Sequence, residues 1–186
     1  MKVLEVSVSI GFQNILTEDR SSLYPIVDRL NKPIGQITFP DFYVSTPKAQ
    51  VGNFYKLGYE LFAYDKVANE AIRDVVNEAG EHYLLEVEDV GTLHVLNVLE
   101  TCDALDHEKT VWREEDDGGK YVIMEHVFCP ERIQTKSGLF KIAENRYSRI
   151  FLVAGAPNQQ GDFYARYHET GLTGLTFTEI WSDENN

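Results

Sequence analysis

The residues whose types and spacing come closest to chemistry in this chain are Asp103, Asp106, His107 and Glu108. Were the segment helical, Asp103 and His107 would share a face at i, i+4, a spacing that can hold a divalent metal. A metal held by Asp103, Asp106 and His107 could activate water, so a metal-dependent hydrolase is one reading of the chain. The plainer reading is a solvated loop, because carboxylates beside a histidine are common on protein surfaces, and the segment reads as loop. On that reading no metal, cofactor or catalytic residue is assigned. His94 and Asn97 differ, since they sit in the most apolar stretch. A buried polar group must be hydrogen-bonded, so each is expected to fix a loop or a sheet neighbour. His82, His126 and His168 have no sequence neighbours that raise them above satisfied or exposed histidines. The phosphate-cradling P-loop, GxGxxG, HExxH and GxSxG patterns do not occur.

Charge is the more telling feature. The 186 residues carry 17 Lys and Arg against 30 Asp and Glu, a formal charge of −13. Nucleic-acid binding runs on basic patches and counterion release, so nucleic acid is a poor ligand, and anionic membrane surfaces are equally disfavoured. A partner, if charge-matched, is basic; plain solubility is the other use of such a surface. From Asp103 to Asp117 the acids are Asp103, Asp106, Glu108, Glu114, Glu115, Asp116 and Asp117, against Lys109 and Arg113, and Trp112 lies among them. An exposed Trp rimmed by acids has the make-up of an interface anchor; the alternative is a Trp folded back onto the sheet.

The elements that must position these residues follow from periodicity. Leu4, Val6, Val8 and Ile10 alternate with polar neighbours as a half-buried strand. Leu23, Ile26, Val27 and Leu30 make a short helical stripe after Ser22, and Pro40 demotes the extended stretch Gly35–Val44 to an edge or irregular segment. The clearest helix runs from Lys66 to Ala79, with Asp65 as cap, Ala68, Ala71, Ile72, Val75, Val76 and Ala79 as its apolar face and Gly80 as stop. Tyr83, Leu85 and Val87 alternate; after a turn at Gly91, Leu93 to Leu99 is apolar on both faces and belongs in mid-sheet. A loop from Thr101 to Lys120 ends in the turn Asp116–Gly119. Strands at Tyr121–Phe128, Leu139–Ile142 and Arg149–Val153, a helix at Phe163–Thr170 and a last strand at Leu175–Trp181 complete the chain. Without a βαβ rhythm this is α+β, a mainly antiparallel sheet with two or three helices. One domain over 1–186 is the default, alternatively with an N-terminal lobe 1–58 packed on a core 59–186. The aromatic-rich stretch from Phe42 to Tyr64 serves either packing or a contact surface, such as a homodimer interface. Cys102 and Cys129 read as small apolar residues of a reducing compartment, with a disulfide open if their strands pair. The alternating MKVLEVSVSI start is no signal peptide, and a cytoplasmic protein without a membrane span is expected.

Two segments resemble a known family. In GTLHVLNVLETCDALDHEKT (Gly91 to Thr110), Leu96-Asn97-Val98 is followed by Asp103-Ala104-Leu105-Asp106 and Glu108-Lys109-Thr110; GLTGLTF (Gly171 to Phe177) follows a short helix. Together they resemble the immunity protein 11 family, a bacterial group typified by a myxobacterial member and formerly a domain of unknown function. Its pattern has Tyr-Leu-Leu-Asn where this chain has His94-Val95-Leu96-Asn97, and serine where it has Thr110. The matching positions are Asn97, Asp103, Asp106, Glu108 and Lys109. The resemblance implies neutralisation of the cognate toxin of a polymorphic toxin system and supplies no catalytic site. Physically the matched residues read as structural: a buried Asn, then a polar turn tying a loop to the sheet. The expectation is therefore a non-enzymatic immunity protein that occludes a basic toxin through an acidic surface, with Trp112, Glu114, Glu115, Asp116 and Asp117 at the contact.

Overall fold

The computed structural model describes residues 1–18, 32–57, 61–114, 120–146, 148–155 and 162–185. The helix expected after Ser22 and the turn Asp116–Gly119 fall outside them. Among the described residues the strands are β1 (Lys2–Val8), β2 (Ile15–Thr17), β3 (Phe42–Val44), β4 (Phe54–Lys56), β5 (Phe62–Tyr64), β6 (Gly80–Val87), β7 (Gly91–Val98), β8 (Val111–Glu114), β9 (Lys120–Glu125), β10 (Leu139–Phe140), β11 (Ile150–Ala154) and β12 (Leu175–Ser182). The helices are α1 (Lys66–Val76) and α2 (Phe163–Glu169). Strands order as β10-β11-β1-β12 in one sheet and β2-β3-β6-β7-β5-β4 in a second, with β8-β9 as a separate ribbon. Apart from β3 and β6, which run parallel with Phe42 opposite Val87, these pairings are antiparallel. The fold is α+β and dominated by sheet.

The hairpin β6–β7 forms where alternation and turn chemistry agree. Gly91 takes φ 91°, which a side chain would strain, and Val87 to Gly80 then pair in register with Gly91 to Val98. β7 lies between β6 and β5, with Leu93 and Val95 buried on one face and Leu96 and Val98 on the other. The α1 cap is made as expected: Asp65 Oδ1 accepts from the Ala68 amide at 2.8 Å. Its end differs. The helix stops at Val76 with Asn77 as cap, and Gly80 opens β6 instead. A Cβ on Gly80 would run into the Asn97 carbonyl, so the glycine is set by strand approach rather than helix termination.

Three further expectations are corrected. β1 ends at Val8, leaving Ile10 fully exposed, while Val3 on the opposite face is fully buried, because β1 is an inner strand flanked by β11 and β12. β3 is likewise internal to its sheet, which tolerates Pro40 because the proline precedes the strand. The stretch from Thr101 to Lys120 is not all loop: Val111–Glu114 pairs with β9, so Trp112 sits on a strand opposite Ile123.

Three buried clusters hold these layers. The first takes Leu4, Val6 and Leu152 from the four-stranded sheet, Phe54, Tyr64 and Leu96 from the six-stranded sheet, Ile72 and Val76 from α1, and Phe163 and Tyr167 from α2. The second lies on the far face of the six-stranded sheet, where Ile34, Ile37 and Phe39 cover Leu85, Leu93 and Val95. The third lies on the far face of the four-stranded sheet: Ala104, Leu105, Phe128, Trp112 and Ile123 cover Val3, Phe140, Phe151 and Trp181. The described residues up to 57 are thus distributed over both sheets, with β1 inside one and β2 to β4 in the other. Of the aromatic-rich stretch, Phe42, Phe54, Tyr55, Phe62 and Tyr64 are buried, which favours packing; Tyr43 stays 40% exposed.

Candidate functional site

The segment carrying most of the candidate residues, 101–110, is irregular but pinned along its length. The Cys102 amide donates to the Lys141 carbonyl at 3.0 Å, the Cys129 amide to the Ala104 carbonyl at 2.7 Å, and the Asp106 amide to the Val127 carbonyl at 2.8 Å. Ala104 and Leu105 are fully buried beneath it. Asp106 then closes its own turn: Oδ1 accepts from the amides of Glu108 and Lys109, each at 3.2 Å, and Oδ2 lies 3.3 Å from Lys109 Nζ. Desolvation opposes ionisation of Asp106, but the Lys109 amide and ammonium and the Glu108 amide outweigh it and hold the carboxyl below its ordinary value. Asp106 and Lys109 are thus turn-formers; Glu108 contributes its amide.

No helix forms there, in agreement with the loop reading, and the trio of the alternative metal reading, Asp103, Asp106 and His107, is not assembled. Asp106 is committed to its turn, and its place is taken by Glu144, which comes from the single 3-10 turn Ala143–Asn145. The donor atoms of Asp103, His107 and Glu144 all lie within 4.8 Å of one another. His107 Nε2 is 3.1 Å from Glu144 Oε1, and the Glu144 side chain is only 13% exposed. The imidazole lies flat on the Trp112 indole, centroids 6.2 Å apart and planes at 5°. Trp112 is half-buried against the third cluster, so it folds back onto the sheet rather than standing out as an anchor. One imidazole with two carboxylates is a donor set for a first-row transition metal, not for calcium or magnesium.

Behind this trio a hollow of about 190 Å³ is lined by His126, Glu144, Asn145, Arg146, Ser148 and Arg149, among others. Three of these residues also carry side-chain atoms sealed from solvent without a hydrogen-bond partner: His126 Nε2, Glu144 Oε2, and both Asn145 side-chain atoms. Burial, then the Arg149 guanidinium, push the His126 imidazole down to about 4, so it is neutral near pH 7 and stacks on Phe128 at 5.9 Å.

Asn97 belongs to a different kind of cluster. Fully buried on β7, it accepts from Lys141 Nζ at 3.4 Å and donates to the Lys32 carbonyl and Glu81 Oε2, both at 3.5 Å. Glu81 also accepts from the amides of Ile34 (2.7 Å) and Gly35 (3.2 Å). Desolvation raises the Glu81 carboxyl, yet these bonds win and its ionisation lies below the usual value. Nearby, Glu100 accepts from the Lys136 amide (2.7 Å), the Ser137 amide (3.1 Å), Thr135 Oγ1 (2.7 Å) and Ser137 Oγ. Asn97 is therefore structural, as its burial demands. His94 is also structural: it stacks on Tyr64 at 5.8 Å, and burial, then Arg73, push its imidazole down. Sequence reasoning did not reach Glu81, Glu100, Lys141 or Glu144. Lys141, set between Phe140 and Ile142, did carry a signal, a charge inside an apolar run.

Of the contact residues expected on the acidic run, Glu114 ends β8, while Glu115, Asp116 and Asp117 lie outside the described residues. A second acidic feature was not foreseen. Glu18, Asp41 and Glu88, with Thr17, Pro40, Phe42 and Tyr43, line a hollow of about 590 Å³ where β2 meets β3. Cys102 and Cys129 are free thiols, and the Cys102 Sγ donates to the Gln134 carbonyl at 3.4 Å. Among the described residues no helix is long and apolar enough to cross a membrane. No family model matches the chain, and no curated protein matches its sequence; the likeness to the immunity protein 11 family rests on the residues quoted for it.

Proposed function

We propose that the chain is a non-enzymatic, cytoplasmic immunity protein that binds a cognate protein toxin and occludes its basic substrate groove. The observation that carries this reading is the charge of −13. It is supported by the placing of exposed acids: Glu18, Asp41 and Glu88 rim a hollow with the exposed ring of Tyr43, a wall suited to lysine and arginine side chains. The run Glu114, Glu115, Asp116 and Asp117 adds charge of the same sign along the chain after Arg113, while Trp112 serves by packing β8 into the third cluster rather than by direct insertion. Toxins that attack nucleic acids or nucleotides present basic clefts, and an acidic partner reaches them by steered, fast association.

The test is affinity capture from a lysate shown to express the toxin, followed by association kinetics against salt. One stoichiometric basic polypeptide whose association slows with added salt supports the reading. Recovery of nothing above background removes it. Reversing Glu18, Asp41 and Glu88 to lysine separates the hollow from the ribbon: unchanged binding takes the hollow out of the contact. A metal-dependent hydrolase reversing a toxin modification is the second reading, and the position of Glu144 moves it from Asp103, Asp106 and His107 to Asp103, His107 and Glu144.

A further inference from the structure

We propose that Asp103, His107 and Glu144 bind one divalent first-row transition-metal ion, which ties the 101–110 segment to the 143–145 turn. The three donors, one imidazole nitrogen and two carboxylate oxygens, lie within 4.8 Å of one another. Bonds to such an ion are about 2.0–2.2 Å, so the donors need draw in by only about an ångström to share it. They come from segments well separated in sequence and are held before any ion arrives. The 101–110 segment is fixed by its bonds to Lys141, Val127 and Cys129, and the Glu144 turn is closed by the Arg146 amide on the Ala143 carbonyl at 2.8 Å. The flat stack on Trp112 fixes the plane of the His107 ring.

A second observation points to a cation there. Glu144 turns Oε1 to His107, while Oε2 is sealed from solvent without a hydrogen-bond partner. A carboxylate withdrawn from water in this way is unfavourable unless a cation compensates it. Two carboxylate ligands bring two negative charges to the site, which a divalent ion balances. The imidazole selects against magnesium and calcium, and three protein ligands leave further positions for water. The ion also steadies the base of the β8–β9 ribbon, because the His107 ring rests on Trp112 of β8. None of this depends on a toxin partner.

The experiment uses the full chain without an affinity tag, stripped with chelator and titrated calorimetrically with zinc, and separately with manganese and magnesium chlorides. One equivalent of zinc is expected, bound more tightly than manganese, with no binding of magnesium. His107→Gln and Glu144→Gln should each weaken zinc by at least the roughly 10–100-fold that loss of an outer-shell partner brings. Asp106→Asn, which keeps the turn-forming oxygen, should leave zinc binding within about twofold. Failure of the wild-type chain to bind zinc overturns the proposal, as does zinc binding that survives both His107→Gln and Glu144→Gln. A variant that does not fold is replaced by cobalt added to the wild type: a visible absorption band at one equivalent supports the site, and a spectrum of aqueous cobalt alone overturns it.

Discussion

The Asn97 cluster and the Asp103–His107–Glu144 cluster draw on neighbouring stretches of the chain, Asn97 meeting Lys141 and Asp103 meeting Glu144, and both are rich in charge, yet the structure treats them oppositely. Around Asn97 and Glu100, carboxylates meet backbone amides and hydroxyls from two other segments, and the groups are drawn in and paired. Around Glu144 the donors converge but leave Glu144 Oε2, His126 Nε2 and the Asn145 amide sealed from solvent without partners. Satisfied buried polar groups hold a fold together, whereas converging unsatisfied ones are what a bound ion or ligand completes. Nearness along the chain does not separate the two, since Asn97, Asp103 and Asp106 all fall within one short stretch.

That contrast can be broken by substitution. The largest effect is expected at the closed cluster: Asn97→Leu leaves Glu81 and Lys141 each short of a partner and should lower unfolding stability by about 2–4 kcal/mol in urea titration. A loss below about 0.5 kcal/mol would show that the network adds little. Next comes the His126 ring. Its folded-state value of about 4 lies below the unfolded one near 6.5, so its contribution is fully present above pH 6.5 and is lost as pH falls toward 4. Allowing for its partial exposure the loss is about 1–2 kcal/mol, and His126→Phe should remove that part of the acid limb in stability measured against pH. Thr135→Val strips Glu100 of one hydroxyl donor and should cost about 1 kcal/mol by the same urea assay. The smallest effect is expected at the open cluster. In chelator, His107→Ala and Glu144→Gln should each change stability by less than about 0.5 kcal/mol, measured by urea denaturation. A large loss there would make the open cluster a structural one.

Much of the fold was legible because local signals agreed. Asp65 capping α1, Asp162 capping α2 through the Ala165 amide, Gly91 in the hairpin and the two-faced apolar run of β7 are each readable within about ten residues. The candidate site was half legible. Asp103 and His107 were singled out by their spacing, and the loop and polar turn read at Asp106, Glu108 and Lys109 agree with the turn found, but nothing local brings Glu144 to them. Trp112 shows the same limit from the other side. Its acidic neighbours suggested an exposed anchor, yet pairing with β9 places it against Leu105 and Phe128 in the third cluster. Ile10, apolar and in phase with β1, is exposed because the strand ends at Val8 before reaching it.

By itself the sequence determined the class of fold, the helices and hairpins whose caps and turns are local, and the strongly acidic charge balance. These depend on side-chain period and net charge, which need no knowledge of what lies across a sheet. The tertiary structure alone decided that Glu144 joins Asp103 and His107, that Lys141 reaches Asn97, and that three carboxylates from separate segments rim one hollow beside Tyr43. Each of those outcomes is set by pairing between segments many residues apart, where burial and sheet order, rather than spacing along the chain, decide which polar groups meet.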